Sequence, residues 1–341
     1  MNFNSNNIDH YHKEITDAFR FNMRELKYHE LPPSSLIPRE DKSVRYVGSA
    51  TSIFKKHFIN KSVPDRGYFI IQKCLRTRNL KSFFVDEVNP EWASYFTMLG
   101  AIVRPDKISS LLDGVLNTLF SLHVSNERIM INVFFKDVDL INLISDKRYQ
   151  GRFLVNIDNS ENNLIKYRHK YGMDNIYGRN FNLSIKDEDR QVFKDVGNII
   201  VIETDGVSLA VEMGIGVSTL LARIFSLKNS IEASLVSKII PFEYGLKSKF
   251  SDALSSIVAM FRSGVNPGSK GREYLLKVYI IALVYLCDKV NVSFSKVKEY
   301  CDRYELEEYG NVTDIVDRLL KYMLVYKNKI PTYLKYDINR K

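Results

Sequence analysis

Three cysteines, Cys74, Cys287 and Cys301, are too few and too scattered among 341 residues for a disulfide framework. No CxxC or CxxxH spacing occurs, so the common zinc sites are excluded and no metal-ligating set is expected. A reducing cytoplasm suits this usage best. The first residues, MNFNSNNIDHYHKE, are polar and contain no apolar signal region. The most apolar run, VYIIALVYLC at 278–287, is about half the ~20 residues a spanning helix needs, so it reads as a buried helix and no membrane partner is expected. Neither a P-loop nor a GxGxxG after a strand is present. Any nucleotide must therefore be held in another way. Tryptophan is nearly absent, with Trp92 alone.

What is present is an ordinary globular balance, 45% hydrophobic and 26% charged, with 20 Tyr and 20 Phe to build a core. The net charge of +9 suits a polyanionic partner such as a nucleotide or nucleic acid, and equally suits a lysine-rich solubilising surface.

Residues 8–30 carry apolar positions at helical spacing until Pro32 and Pro33 stop the pattern. From Val44 to Leu80, and again in IMINVFF (129–135), β-branched and aromatic residues predict strands. Between them ISSLLDGVLNTLFSL (108–122) keeps a helical period. The polar, turn-rich stretch 158–190 predicts a long loop or insertion. NIIVIE (198–203) resumes as a strand, and the glycines of GIG (214–216) open another helix. Beyond about Lys238 nearly everything to 327 reads as helix, with breaks at GVNPGSKG (264–271) and near 309–313. Two domains are expected, 1–240 and 241–341, with the boundary near 238–247. Strands and helices interleave without βα alternation, so the expected class is α+β on an antiparallel sheet.

Several segments carry a resemblance. SSLIPREDKSVRYVGSATSIFKKHF (34–58) resembles the stretch of alanyl-tRNA synthetases reading roughly SSLVPxxDPTLLFTNAGMxxFKxxF, with Ser34, Ser35, Leu36, Pro38, Asp41, Phe54, Lys55 and Phe58 coinciding. IQKCLRTRNL (71–80) looks like that family's SQ(K/R)CVRAGGKHNDL, and YFTMLG (95–100) like its FFEMLG. RIMINVFFKDVD (128–139) is similar to RLWVTVYxxDDE, NIIVIE to NIVFMQ, EMGIG (212–216) to DTGMG, and SGVNPGSKGREYLLKV (263–278) to DGVxPSNExRGYVLRR. Seven matches in the family's order span most of residues 12–290. The resemblance implies a class II synthetase-like antiparallel sheet flanked by helices, followed by a helical domain.

It also implies site residues. Arg76 stands at the motif-2 arginine, which in the family contacts the α-phosphate and the substrate carboxylate; a guanidinium can bridge both in bidentate fashion. Arg78 falls in the loop that folds over ATP, without the family's glycines and histidine. Met98, within YFTMLG, falls among the substrate-binding positions. Asn198 matches a pocket asparagine, and is either a ligand contact or a structural tie. Glu212 replaces the aspartate that pairs with the substrate amino group, with one methylene more of reach. Gly214 and Gly216 match glycines that let backbone approach the ligand, or they make a tight strand-to-helix turn. His169 falls close to the family's adenine-side tryptophan and could stack there, or be a solvated loop histidine; Trp92 reads as a packing residue.

Departures are equally specific. The third motif's arginine aligns with Thr219, and the nearest arginine, Arg223, lies a helical turn later. GMDNIYGRNFNL (172–183) retains little of the family's GDTGPCGPCTEI. The helix that carries arginine pairs toward the acceptor stem reads LLKVYIIALVYLC here, with Lys277 its remaining cation, so tRNA binding is not expected there. Ser269 takes the place of the asparagine in the PSN turn.

The expected activity is ATP-dependent activation of a small amino acid, with Mg2+, and transfer to an acceptor other than whole tRNA. The alternatives are a non-catalytic paralogue and a minimal alanine-tRNA ligase. The apolar helix 275–287 and Tyr300, Tyr304, Tyr309, Tyr322 and Tyr326 could bury one another, or a second subunit or partner protein.

Overall fold

The computed structural model describes residues 3–38, 44–173, 175–240 and 245–327. Asp41 and the expected domain boundary at 240/241 touch positions outside them. In chain order the elements are α1 (Ile8–Glu25), β1 (His29–Glu30), α2 (Thr51–Ile59), β2 (Tyr68–Leu75), β3 (Tyr95–Val103), α3 (Ile108–Ser121), β4 (Ile129–Phe134), α4 (Val138–Ile144), β5 (Leu154–Asp158), β6 (Arg168–Lys170), β7 (Ile176–Asp187), β8 (Val192–Thr204), β9 (Val207–Gly216), α5 (Val217–Ile224), α6 (Val236–Ile239), α7 (Leu246–Arg262), α8 (Gly271–Val290), α9 (Phe294–Tyr309) and α10 (Ile315–Lys327).

The strands form one sheet in the order β1-β2-β3-β9-β8-β7-β4-β5, with β6 paired to β7. Pairings from β2 across to β4 are antiparallel, while β1 joins β2 and β5 joins β4 in parallel. This is the expected α+β class. Three local expectations are corrected. The first helix stops at Glu25, because Lys27 takes a left-handed φ of 64° and the Tyr28 amide closes back on the Met23 carbonyl at 3.1 Å. Within 44–80 the strand is confined to β2; residues 51–59 are helical and bury Phe54 and Phe58 on the sheet. The polar stretch 158–190 is no loop, since it contains β6 and the 12-residue β7.

Alternation along the strands gives the sheet two unlike faces. One face, with Leu99, Ala101, Ile199, Phe181, Val211 and Met213, packs under α1, α3 and α5 in a large apolar core. The other places Ile70, Cys74, Met98, Ile102, Ile202 and Ala210 against Phe54 and Phe58 of α2, in a much smaller cluster. Past α2 that second face turns polar.

The helices α7 to α10 pack with Leu75, Phe83, Phe84 and Tyr95 in a third core. Residues 276, 278–284 and 286–287 of α8 are buried, as fits a helix that is apolar all round. Tyr300, Tyr304 and Tyr326 are buried with it, and Tyr309 and Tyr322 pack against it, so these groups cover one another within the chain. Asp252 of α7 ties this layer to the sheet by accepting from the Asn79 amide, the Ser94 amide and the Ser94 hydroxyl at 2.6–2.8 Å. Among the described residues no helix is long and apolar enough to cross a membrane.

Candidate functional site

The polar half of the second face is built by register. Cross-strand partners point to the same side of a sheet, and the partners here run Asn156, Asn132, Asn182, Asn198, Gly214 and Gly100 across β5, β4, β7, β8, β9 and β3. Four asparagines thus lie in one row that ends at the two glycines under α2. Their amides bond along the row or to its neighbours: Asn156 donates to Asn132 at 2.9 Å, Asn132 to Ser184 at 2.8 Å, and Asn198 Nδ2 to His169 Nε2 at 3.3 Å. Sequence reading singled out Asn198 alone, because the shared row appears once the register is known.

Two of the quoted segments meet at the row's other end. Gln72 accepts from the Ser34 amide at 2.7 Å and donates to the Ser34 carbonyl at 3.0 Å. Met98, which is buried, accepts the Ala50 amide on its sulfur at 3.3 Å. A Cβ on Gly214 would make an ordinary 3.5 Å contact with the Met98 methyl, so the missing side chain leaves open space beside that thioether. Gly216 caps α5, as the strand-to-helix reading requires.

Glu212 projects from β9 into this region. It is buried, and its Oε1 accepts from the Tyr171 hydroxyl at 2.9 Å and the Thr51 hydroxyl at 3.0 Å. No cation among the described residues pairs with it. Burial drives its pKa up to about 7, with the two hydroxyls pulling the other way. A carboxylate in that state gains strongly from an incoming ammonium group. Neither Tyr171 nor Thr51 was singled out from sequence; Tyr171 lies in the stretch read as loop, and Thr51 in one read as strand.

Arg76 follows directly on β2, and its amide donates to the Ser94 carbonyl at 2.8 Å. Its side chain is open to solvent along one edge, with Nε donating to the Gly48 carbonyl at 2.6 Å and the guanidinium 5.2 Å from the Phe96 ring centre. Burial of the inner portion lowers its pKa, and the neighbouring charge of Arg78 does so further. Arg78 is exposed, and among the described residues no carboxylate pairs with either arginine. His169 of β6 is half-buried, within hydrogen-bond reach of Asn198, with its pKa pushed down by burial and by the charge of Arg76. It is a hydrogen-bonded member of the polar face rather than a solvated loop residue.

Phe96 also lies beside Gly216, as does Thr219, which carries a hydroxyl where the family's third-motif arginine is expected. Arg223 does not substitute for it. That side chain is buried, donates to Glu91 at 2.5 Å and lies 5.3 Å from the Trp92 ring centre. Trp92, expected as a packing residue, is 43% exposed and serves as the platform for that cation.

For ATP the test is charge and space. Arg76 and Arg78 supply cations without carboxylate partners, which fits a phosphate group; the Thr219 position supplies none. No group of three or more His, Cys, Asp or Glu side chains among the described residues is placed to hold a metal ion.

No family model matches the chain. A curated relative, the alanine-tRNA ligase of Buchnera aphidicola subsp. Baizongia pistaciae, is 28% identical over 148 residues, covering 41% of this chain and 16% of that protein. The match therefore spans a small part of the relative's length. Similar solved structures include the asparaginyl-tRNA synthetase of Pyrococcus horikoshii complexed with asparaginyl-adenylate, with a TM-score of 0.42, 10% identity and 68% of each chain covered. The asparaginyl-tRNA synthetase of Entamoeba histolytica in complex with asparaginyl-adenylate gives 0.41 and 10%, over 68% of this chain and 66% of that one. Apo histidyl-tRNA synthetase of S. aureus gives 0.37 and 12%, over 62% and 69%. The chain's own fold is a mainly antiparallel sheet flanked by helices, with a helical region after it.

Proposed function

We propose that this chain activates a small amino acid with ATP, forming an aminoacyl-adenylate that it passes to an acceptor other than whole tRNA. The observation that carries the reading is Glu212: a buried carboxylate bonded by two hydroxyls, without a cation, on the sheet face that also holds Arg76 at its edge. An α-amino acid presents the complementary pair of charges. Its ammonium group would pair with Glu212, and its carboxylate would lie toward Arg76.

The chemistry then follows from placement. A carboxylate oxygen of the amino acid attacks the α-phosphorus, the bond to the bridging oxygen breaks, and pyrophosphate leaves. Arg76 stabilises the charge that builds on the phosphoryl oxygens. Asn198 and His169 offer neutral polar groups beside the reacting atoms, and Met98 and Gly214 bound the side-chain pocket, which favours a small residue. Transfer to whole tRNA is disfavoured because α8, which would meet the acceptor stem, is core here and carries Lys277 as a half-buried cation.

Amino-acid-dependent exchange of pyrophosphate into ATP tests the proposal. Exchange with one or a few small amino acids supports it, and silence across all of them with folded protein rejects it. A second reading, a non-catalytic binder, is favoured by the engagement of Arg76 with Gly48 and of Arg223 with Glu91. Tight amino-acid binding by calorimetry without exchange would select that reading.

A further inference from the structure

The Thr219 position leaves the phosphate tail of a nucleotide without the cation expected there. A different set of cations borders the segment 45–48, to which Arg76 also bonds. Arg272, in the first turn of α8, donates from Nε to the Arg45 carbonyl, which seats that turn against the segment 45–48. Both Arg45 and Arg272 act electrostatically on Tyr46, lowering a hydroxyl pKa that burial raises. Two residues on, Gly48 receives Arg76, and Arg76 in turn feels the charge of Arg78.

Three arginines, 45, 76 and 272, are thus linked through one short segment, with Arg78 two residues beyond Arg76, and no described carboxylate pairs with any of the four. Arg45, Arg76 and Arg78 are exposed and Arg272 is half-buried. Glu273, the acid in the first turn of α8, lies over Gly268. Like charges gathered without a described counterion repel one another, and a polyanion relieves that repulsion. Guanidinium groups also match phosphate oxygens in geometry.

We infer that Arg45 and Arg272, with Arg78, form a polyphosphate-binding wall that holds the β- and γ-phosphates of ATP in place of the cation missing at Thr219. The inference rests on the nucleotide of the proposed reaction being ATP. The amino end of the helical region becomes part of the nucleotide site, and the α-phosphate remains with Arg76.

Calorimetry on the full chain with ATP, AMP and inorganic tripolyphosphate tests it, using wild type, Arg45→Gln, Arg272→Gln, the double variant and Arg272→Lys, each matched to wild type by thermal melting. Wild type should bind tripolyphosphate and prefer ATP to AMP. Each Gln substitution should weaken ATP and tripolyphosphate by about tenfold, the size of one charge-assisted phosphate contact, and the double variant by more. AMP affinity should hold in all variants, and Arg272→Lys should retain part of the lost binding. Folded variants that bind ATP and tripolyphosphate as wild type does, or a wild type indifferent between ATP and AMP, would overturn the wall. Failure of the adenylation reading looks different: tripolyphosphate binding that depends on Arg45 and Arg272, without any amino-acid-dependent exchange, keeps the wall and removes the enzyme.

Discussion

Gly100 of β3 lies directly beneath Ala50 at the start of α2, so closely that a Cβ on Gly100 would fall well inside contact distance of the Ala50 Cβ. This approach seats α2 on the sheet and carries Thr51, the next residue, to Glu212.

Gly100→Ala should therefore lift the start of α2 and separate Thr51 from the carboxylate. An overpacked site of this kind costs about 1–3 kcal/mol. The expected result is a lower melting temperature together with weaker amino-acid binding, whereas Thr51→Val should weaken binding with a smaller stability loss. Equal binding in wild type and Gly100→Ala would show that α2 does not set the position of Glu212.

Arg76→Lys keeps a positive charge but loses the planar fork and the bond from Nε to Gly48. If Arg76 stabilises the phosphoryl oxygens, exchange should drop roughly 100-fold or more while amino-acid binding changes little. Because the side chain is exposed, melting should hardly move. A variant with wild-type turnover would remove Arg76 from the chemistry.

The hairpin that carries His169 and Tyr171 is held by charge. Arg168 makes a bidentate pair with Asp137 at 2.8 and 2.9 Å, and Arg179 bonds Asp139 and Glu203 through its three guanidinium nitrogens at 2.7–3.0 Å. Asp137 is buried, so Asp137→Ala leaves Arg168 without its partner. The expected loss is roughly 2–4 kcal/mol, below the upper range for buried pairs because both arginines retain contact with water. Protection of the 168–171 amides in hydrogen exchange should fall in the same variant, and unchanged protection would mean that β-pairing alone holds the hairpin.

This hairpin also shows what could be read from the sequence and what could not. The helices α1, α3 and α7–α10 and strands β4 and β8 follow from apolar periodicity, because each buries one face or a whole circumference. Residues 158–190 defeat that signal. One face of β7 carries the buried Asn180, Asn182 and Ser184, each hydrogen-bonded to a neighbour though the Asn180 Oδ1 has no donor among the described residues, and Arg179 is paired, so polarity there marks buried structure. Arg76, His169, Asn198 and Glu212 were found through a resemblance in local words; the two hydroxyls on Glu212 and the Arg45–Arg272 contact were not, since each joins residues more than 40 positions apart in the chain.

Glu212 makes the final prediction, in which sign matters. Its folded-state pKa, about 7, lies above the unfolded value near 4.5, so the folded protein binds more protons between those values. Stability from this group is fully present below about pH 4.5 and is lost as pH rises to 7, by roughly 3 kcal/mol. Asp252, raised to about 6 by burial, acts with the same sign over a lower window. His12, lowered to about 4 by burial, acts with the opposite sign between 4 and 6.5, because the unfolded chain takes up that proton first. The wild-type melting curve sums these opposed slopes, so the informative quantity is the difference between wild type and Glu212→Gln. That difference should favour the variant increasingly from pH 4.5 to 7 and level off above it. A primary-amine ligand should narrow the gap at pH 8 by giving the carboxylate its cation, and at about pH 6, where Glu212 is mostly protonated, its binding should release that proton, visible as a buffer-dependent enthalpy. A difference that stays flat with pH would mean that Glu212 is ionised throughout, and already paired.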